Sequence, residues 1–127
     1  MFENLDVFTI SSAMAKHAGT RQALISQNVA NADTPGYLAR DLPTFKSSYE
    51  VSGSVTQKAT RSGHLNGANL GGYSAPAVDR TAASPDGNTV SIEQQMLKAT
   101  DTLRQHDQAL AIYKSALGVL RSSLGRR

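Results

Sequence analysis

From Ile92 onward, apolar side chains return after four residues, then three, then four again, and this pattern constrains the fold more than any other feature. The row is Ile92, Met96, Ala99, Leu103, His106, Leu110, Tyr113, Leu117, Leu120 and Leu124. Ile92, Ala99, His106, Tyr113 and Leu120 share one heptad position; Met96, Leu103, Leu110, Leu117 and Leu124 share the other. A row sustained beyond four heptads predicts a coiled-coil seam, with His106 its one polar member. Ala109, Ile112, Ala116 and Val119 form a flanking row that widens the apolar face. Ser91 and Gln94 are spaced as a capping box, with Glu93 in the first turn, and Gly125 with Arg126 and Arg127 suits the far end. At 1.5 Å per residue the helix is roughly 50 Å long.

Residues 5–31 repeat the four-three rhythm less strongly. Val7, Ile10, Met14, His17, Arg21, Leu24, Asn28 and Asn31 form one row, and Ala18, Ile25 and Val29 lie beside it. Thr34-Pro35 ends this second helix, because a residue before proline is driven out of helical geometry. The texture then changes. From 47 to 87, 15 of 41 residues are Gly, Ser or Pro, without helical periodicity. Leu42, Phe45, Tyr49, Val51 and Val55 suit one or two short strands, and Asp86-Gly87-Asn88 reads as a turn. The expected fold is mainly α: residues 1–33 form an N-terminal helix, 34–88 an extended or short-β middle, and 89–127 a C-terminal helix. The two long helices pair as a coiled-coil hairpin.

Such a hairpin has little with which to build a core. Only 39% of the 127 residues are apolar, 6% are aromatic, and there is no tryptophan. Two helices cannot bury two wide apolar stripes against each other, so the remainder needs cover from another subunit. The absence of cysteine excludes disulfide scaffolds, thiolate zinc sites and cysteine nucleophiles. A net charge of +3 with scattered basic residues is no nucleic-acid footprint. No apolar run reaches the length that spans a bilayer. Ala13-Met14-Ala15 resembles a signal-peptidase site, but Glu3 and Asp6 precede it with no Lys or Arg, so no cleavable signal is expected. The chemistry is equally sparse. His17 and His106 fall on seam positions, where a polar residue sets register more often than it binds metal. Asp101 and Asp107 lie on different helix faces, the serine pairs lack a His and Asp pattern, and no phosphate-binding glycine loop exists. The expectation is a non-enzyme, without cofactor, metal, nucleic acid or small-molecule substrate.

One stretch is more particular than a helix stop requires. Asn28-Val29-Ala30-Asn31-Ala32-Asp33-Thr34-Pro35-Gly36-Tyr37 sets two asparagines on one helix face before a Pro-Gly turn and an aromatic anchor. Asn near a helix end caps carbonyls or bridges to a neighbouring helix. Gly36 permits positive φ, and Tyr37 offers both a ring and a hydroxyl. With Ala39-Arg40-Asp41 following and Gln94-Gln95-Met96 opening the terminal helix, the chain resembles the flagellar axial proteins, the rod, hook and hook-associated subunits of the bacterial flagellum, and among them the short proximal-rod type. The likeness covers residues 5–45 and 88–124. It departs at Leu38, where many relatives carry Lys.

The resemblance implies a structural subunit of the basal-body proximal rod, whose paired terminal helices stack helically around an export channel and transmit torque. It implies partners: copies of itself, other rod subunits, the rod-to-membrane-ring adaptor and the type III export apparatus. It implies a periplasmic rod reached without a cleaved signal, and terminal segments disordered before assembly. On this expectation the C-terminal seam pairs with the N-terminal helix, and the flanking row packs on a neighbour. Asn28 and Asn31 bridge subunits, while Thr34, Pro35, Gly36, Tyr37, Arg40 and Asp41 complete the signature. The alternatives are a neighbouring proximal-rod paralogue and, outside the family, a soluble helical binding module.

Overall fold

The computed structural model describes residues 2–52, 76–79 and 83–125. In chain order the elements are α1 (Phe2–Ala30), β1 (Arg40–Asp41), α2 (Phe45–Ser52), β2 (Ala77–Val78) and α3 (Ile92–Ser123). The fold is mainly helical, with α1 and α3 packed along each other. They run antiparallel: Asn28 near the end of α1 bonds to Gln95 near the start of α3, and Phe8 meets Tyr113 edge-on with ring centroids 5.1 Å apart. Ser91 caps α3 by accepting from the Gln94 backbone N–H at 3.5 Å, and Glu93 occupies the first turn.

On both helices one set of buried positions repeats every seven residues, with His17 and Asn28 of α1 buried beside it. Ser11, Ala18 and Ile25 are buried on α1, and Gln95, Thr102 and Ala109 on α3. This packing face lies one position away from the row of large apolar residues. Ile92, Met96, Leu103, Leu110, Tyr113 and Leu124 are exposed, Met96 at 63% and Leu103 at 54%. Ala99, His106, Leu117 and Leu120 are half-buried. The seam is therefore divided: Tyr113 meets Phe8 of α1 and four seam residues are half-buried, whereas Ile92, Met96, Leu103 and Leu124 stand clear of it, and Ala109, expected against a neighbour, is 1% exposed inside the chain. The reason is complementarity. Small residues such as Ser11, Ala18 and Ala109 allow close approach, and the polar ones are satisfied where they stand. Gln95 accepts from Asn28, and the Thr102 hydroxyl donates to the Lys98 carbonyl at 2.7 Å.

The expected strand near Phe45 and Tyr49 is corrected too, because Phe45–Ser52 is helical. Pro43 and Thr44 start it: the Ser48 N–H donates to the Thr44 carbonyl, and the Ser47 N–H reaches the Thr44 hydroxyl at 3.4 Å. Phe45, Ser48 and Tyr49 then share a face at helical spacing, which outweighs their strand propensity. The strands are two residues each and antiparallel, Arg40 opposite Val78 and Asp41 opposite Ala77. Val55 and His64 lie outside the described residues.

Candidate assembly hairpin and its signature turn

The chain leaving α1 is folded back onto the chain entering α3, and asparagine side chains hold the two together. Asn28 is 1% exposed. Its amide nitrogen donates to the Arg40 carbonyl at 2.8 Å and to Gln95 Oε1 at 3.1 Å. Its oxygen accepts from the Arg40 N–H at 3.0 Å and from the Tyr37 hydroxyl at 3.4 Å. Two donors and two acceptor sites are the full capacity of the side chain, and all are used within the chain. Asn28 thus bridges to a neighbouring helix, but to α3 of its own subunit. The expectation that it joins two subunits is corrected. Asn31 caps locally: its amide donates to the Gln27 carbonyl at 2.8 Å, and its oxygen accepts from the Thr34 hydroxyl at 3.3 Å.

Asn88 is the matching residue on the incoming chain. Its amide nitrogen, with two hydrogens to share, faces the carbonyls of Asn31, Ala32 and Thr34 at 3.0, 2.7 and 2.9 Å; those of Asn31 and Thr34 also accept the N–H groups of Thr34 and Tyr37, so Ala32 is the acceptor that depends on it. Its oxygen accepts from the Val90 N–H, and its own N–H donates to Asp86 Oδ1, so two Asx turns fix it in place. Gly36 and Gly87 meet between the two strands of chain, with φ of 72° and 81°. A Cβ on Gly87 would lie 3.4 Å from Gly36 Cα, in a backbone region that other residues rarely adopt. Gly36 N–H donates to the Asp86 carbonyl, Thr89 N–H to the Tyr37 carbonyl, and Ala39 N–H to the Thr89 hydroxyl. Thr34 and Pro35 are exposed at the tip, and Tyr37 is half-buried. Asn88→Ala strands the Ala32 carbonyl, while those of Asn31 and Thr34 keep the N–H groups of Thr34 and Tyr37, so we expect a loss of about 1–2 kcal/mol in urea unfolding. Amide exchange should rise first at residues 32–37.

Asp41 anchors the other side of the turn. Arg21 of α1 grips it with two parallel bonds of 2.9 and 3.1 Å, and Leu42 N–H donates to it at 2.8 Å. Lys98 of α3 lies 3.1 Å from Asp41 and 3.0 Å from Asp79, just beyond β2. Two cations and two anions balance, and four segments, α1, β1, the residue after β2 and α3, are tied at one point. The side chain of Arg40 is exposed; its backbone does the work, through Asn28. Burial pushes the Asp41 carboxyl up, but bonds and charge from Arg21 and Lys98 outweigh it and hold the group below its ordinary 3.8. Burial likewise opposes the Lys98 charge, yet bonds to Asp79 and Asp41 raise its pKa. A depressed carboxylate stabilises the fold above its unfolded value and loses that contribution as pH falls through the folded value. Asp41→Asn should therefore cost about 2 kcal/mol at pH 7 and make unfolding less dependent on pH below 4. Urea titrations at pH 7 and pH 3 check both halves.

Among the described residues no group of His, Asp and Glu is arranged to hold a metal ion, and no helix is long and apolar enough to cross a membrane. His17 bonds to Pro43 and His106 lies 3.9 Å from Asp107. What the geometry builds is a helical hairpin, pinned shut at one end, that leaves an apolar row on its outer side. That is the class of a structural, assembling subunit. The family described as flagella basal body rod protein matches residues 9–37, which include the end of α1 and the signature turn. The chain is 34% identical to the flagellar basal body rod protein FlgB of Salmonella typhimurium over 76% of its own length and 77% of that protein. It is 28% identical to FlgB of Agrobacterium fabrum over 87% of both chains, and 29% identical to FlgB of Escherichia coli over 80% and 83%. The chain belongs to the FlgB family of flagellar basal body rod proteins. It is a structural component of the flagellar basal body that assembles with other rod components, and not an enzyme.

Proposed function

We propose that the chain is a proximal-rod subunit whose α3 row is the surface through which it packs on neighbouring subunits. The observation that carries this is the exposure of Ile92, Met96, Leu103, Leu110 and Leu124 on a helix whose other face is already paired. A contiguous apolar row along some 30 residues of helix is far more than an isolated surface needs, and copies arranged helically around a channel give it cover. Half-buried Ala99, His106, Leu117 and Leu120 edge the same row, and exposed Ile112 and Val119 supply a second contact line. Thr34, Pro35 and Gly36 mark the outward tip of the pinned end. The subunit carries torque by rigid packing alone. It reaches the periplasm through the type III export apparatus without a cleaved signal, and it meets the rod-to-membrane-ring adaptor as well as other rod subunits. Mass spectrometry of detergent-extracted basal bodies, with hooks and filaments sheared off, tests the reading. The chain should be present at a few copies per basal body; its absence beside other rod proteins would contradict the assignment.

A further inference from the structure

His17 of α1 reaches across to the segment after β1. His17 donates its Nε2–H to the Pro43 carbonyl at 3.0 Å, and its ring meets Phe45 edge-on with centroids 5.7 Å apart. Phe45 in turn lies against Tyr49, one turn further along α2. The imidazole is 2% exposed, and its Nδ1 is buried without a partner. With Nε2 donating, Nδ1 carries the lone pair. A proton placed there has no acceptor and turns a satisfied neutral ring into a buried cation. The Ser48 hydroxyl, also buried without a partner, adds a second uncompensated polar group to the docking of α2.

The charges facing His17 do not rescue that cation. Arg21, one turn along α1, opposes it, while Asp41 on β1 favours it but is already bound by Arg21 and by Lys98 of α3. On α2 the ring against it is Phe45, itself backed by Tyr49, and Lys46 is exposed. Burial holds the imidazole below its ordinary 6.5, outweighing the Pro43 bond, and the Arg21 charge adds to it.

We propose that neutral His17 is a latch holding residues 43–52 on α1, and that its protonation releases α2 while the α1–α3 hairpin stays closed. The hairpin is pinned by Asn28, Gln95 and the Asp41 cluster, none of which needs His17. A group whose pKa is depressed by docking leaves α2 fully docked above 6.5 and frees it as pH falls through the lower value.

Side-chain and amide NMR on the full chain between pH 7.5 and 5 tests this. The His17 imidazole titration and the loss of amide protection in residues 45–52 should share one midpoint. One-proton linkage makes that protection fall about tenfold per pH unit, with α3 unchanged. His17→Gln keeps an N–H for Pro43 but cannot titrate, so it should abolish the pH dependence; His106→Gln should leave it intact. Three results would overturn the latch: α2 and α3 losing protection together, the transition persisting in His17→Gln, or residues 45–52 unprotected at pH 7.5. Should the Gln variant fail to dock α2, the wild-type curves decide alone, and separate midpoints reject the proposal.

Discussion

Asn28→Ala is expected to lower the unfolding free energy by about 3 kcal/mol, the largest loss from any single side chain of the signature turn. The change strands the carbonyl of Arg40 and the amide oxygen of Gln95, and it removes the acceptor for the Arg40 N–H and the Tyr37 hydroxyl. The Gln95 oxygen is stranded where water is excluded and carries a full desolvation cost, while the groups of Arg40 and Tyr37 lie in a partly buried site and regain solvent bonds only in part. Asn28→Asp should be no better, because it keeps the acceptor but sets a carboxylate against two oxygens. Asn31→Ala is the control. Its side chain caps a half-exposed helix end, so the loss should be about 0.5–1 kcal/mol. Urea unfolding of the three variants checks the order, and equal losses at positions 28 and 31 would mean that Asn28 is not the pin described here.

Leu103→Asp combined with Leu110→Asp is expected to abolish rod assembly and motility while leaving the hairpin folded. Both leucines are exposed in the subunit, Leu110 at 40%, so a carboxylate there remains solvated before assembly. It becomes a buried, unpaired charge only when a neighbour covers it, at a cost repeated at every subunit contact. Ala109→Leu has the opposite expectation. It overpacks the α1 contact and should destabilise the isolated chain by about 1–3 kcal/mol. Circular dichroism on the subunits and electron microscopy of basal bodies separate the two effects. The adjacent positions 109 and 110 thus face different partners, which a count of apolar residues does not reveal.

That difference marks where the sequence is legible. The two long helices follow from their periodicity, the capping residues of α3 from Ser91 and Gln94, and the turn from Pro35 and Gly36. Asn28 and Asn31 stand out by their spacing. What periodicity misses is which stripe pairs inside the chain. It weighs Leu103 above Thr102 and Leu110 above Ala109, although close antiparallel packing selects the smaller side chain and a hydrogen-bonded Gln95. Asn88 was visible only as part of a turn. Its Asx geometry with Asp86 is a local signal, but its three carbonyl partners lie more than fifty residues away. The Arg21–Asp41–Lys98 cluster is likewise invisible until the chain is folded back on itself.

The central claim is that the outer row of α3 is covered by other subunits in the rod. The chain contains no cysteine, so Leu110→Cys gives a unique reporter. Its reaction with a maleimide should be fast in the isolated subunit and strongly slowed in intact basal bodies, then restored when the rods are dissociated by denaturant. Equal labelling rates in the isolated subunit and in intact basal bodies would show that the row stays open to solvent, and would contradict the account.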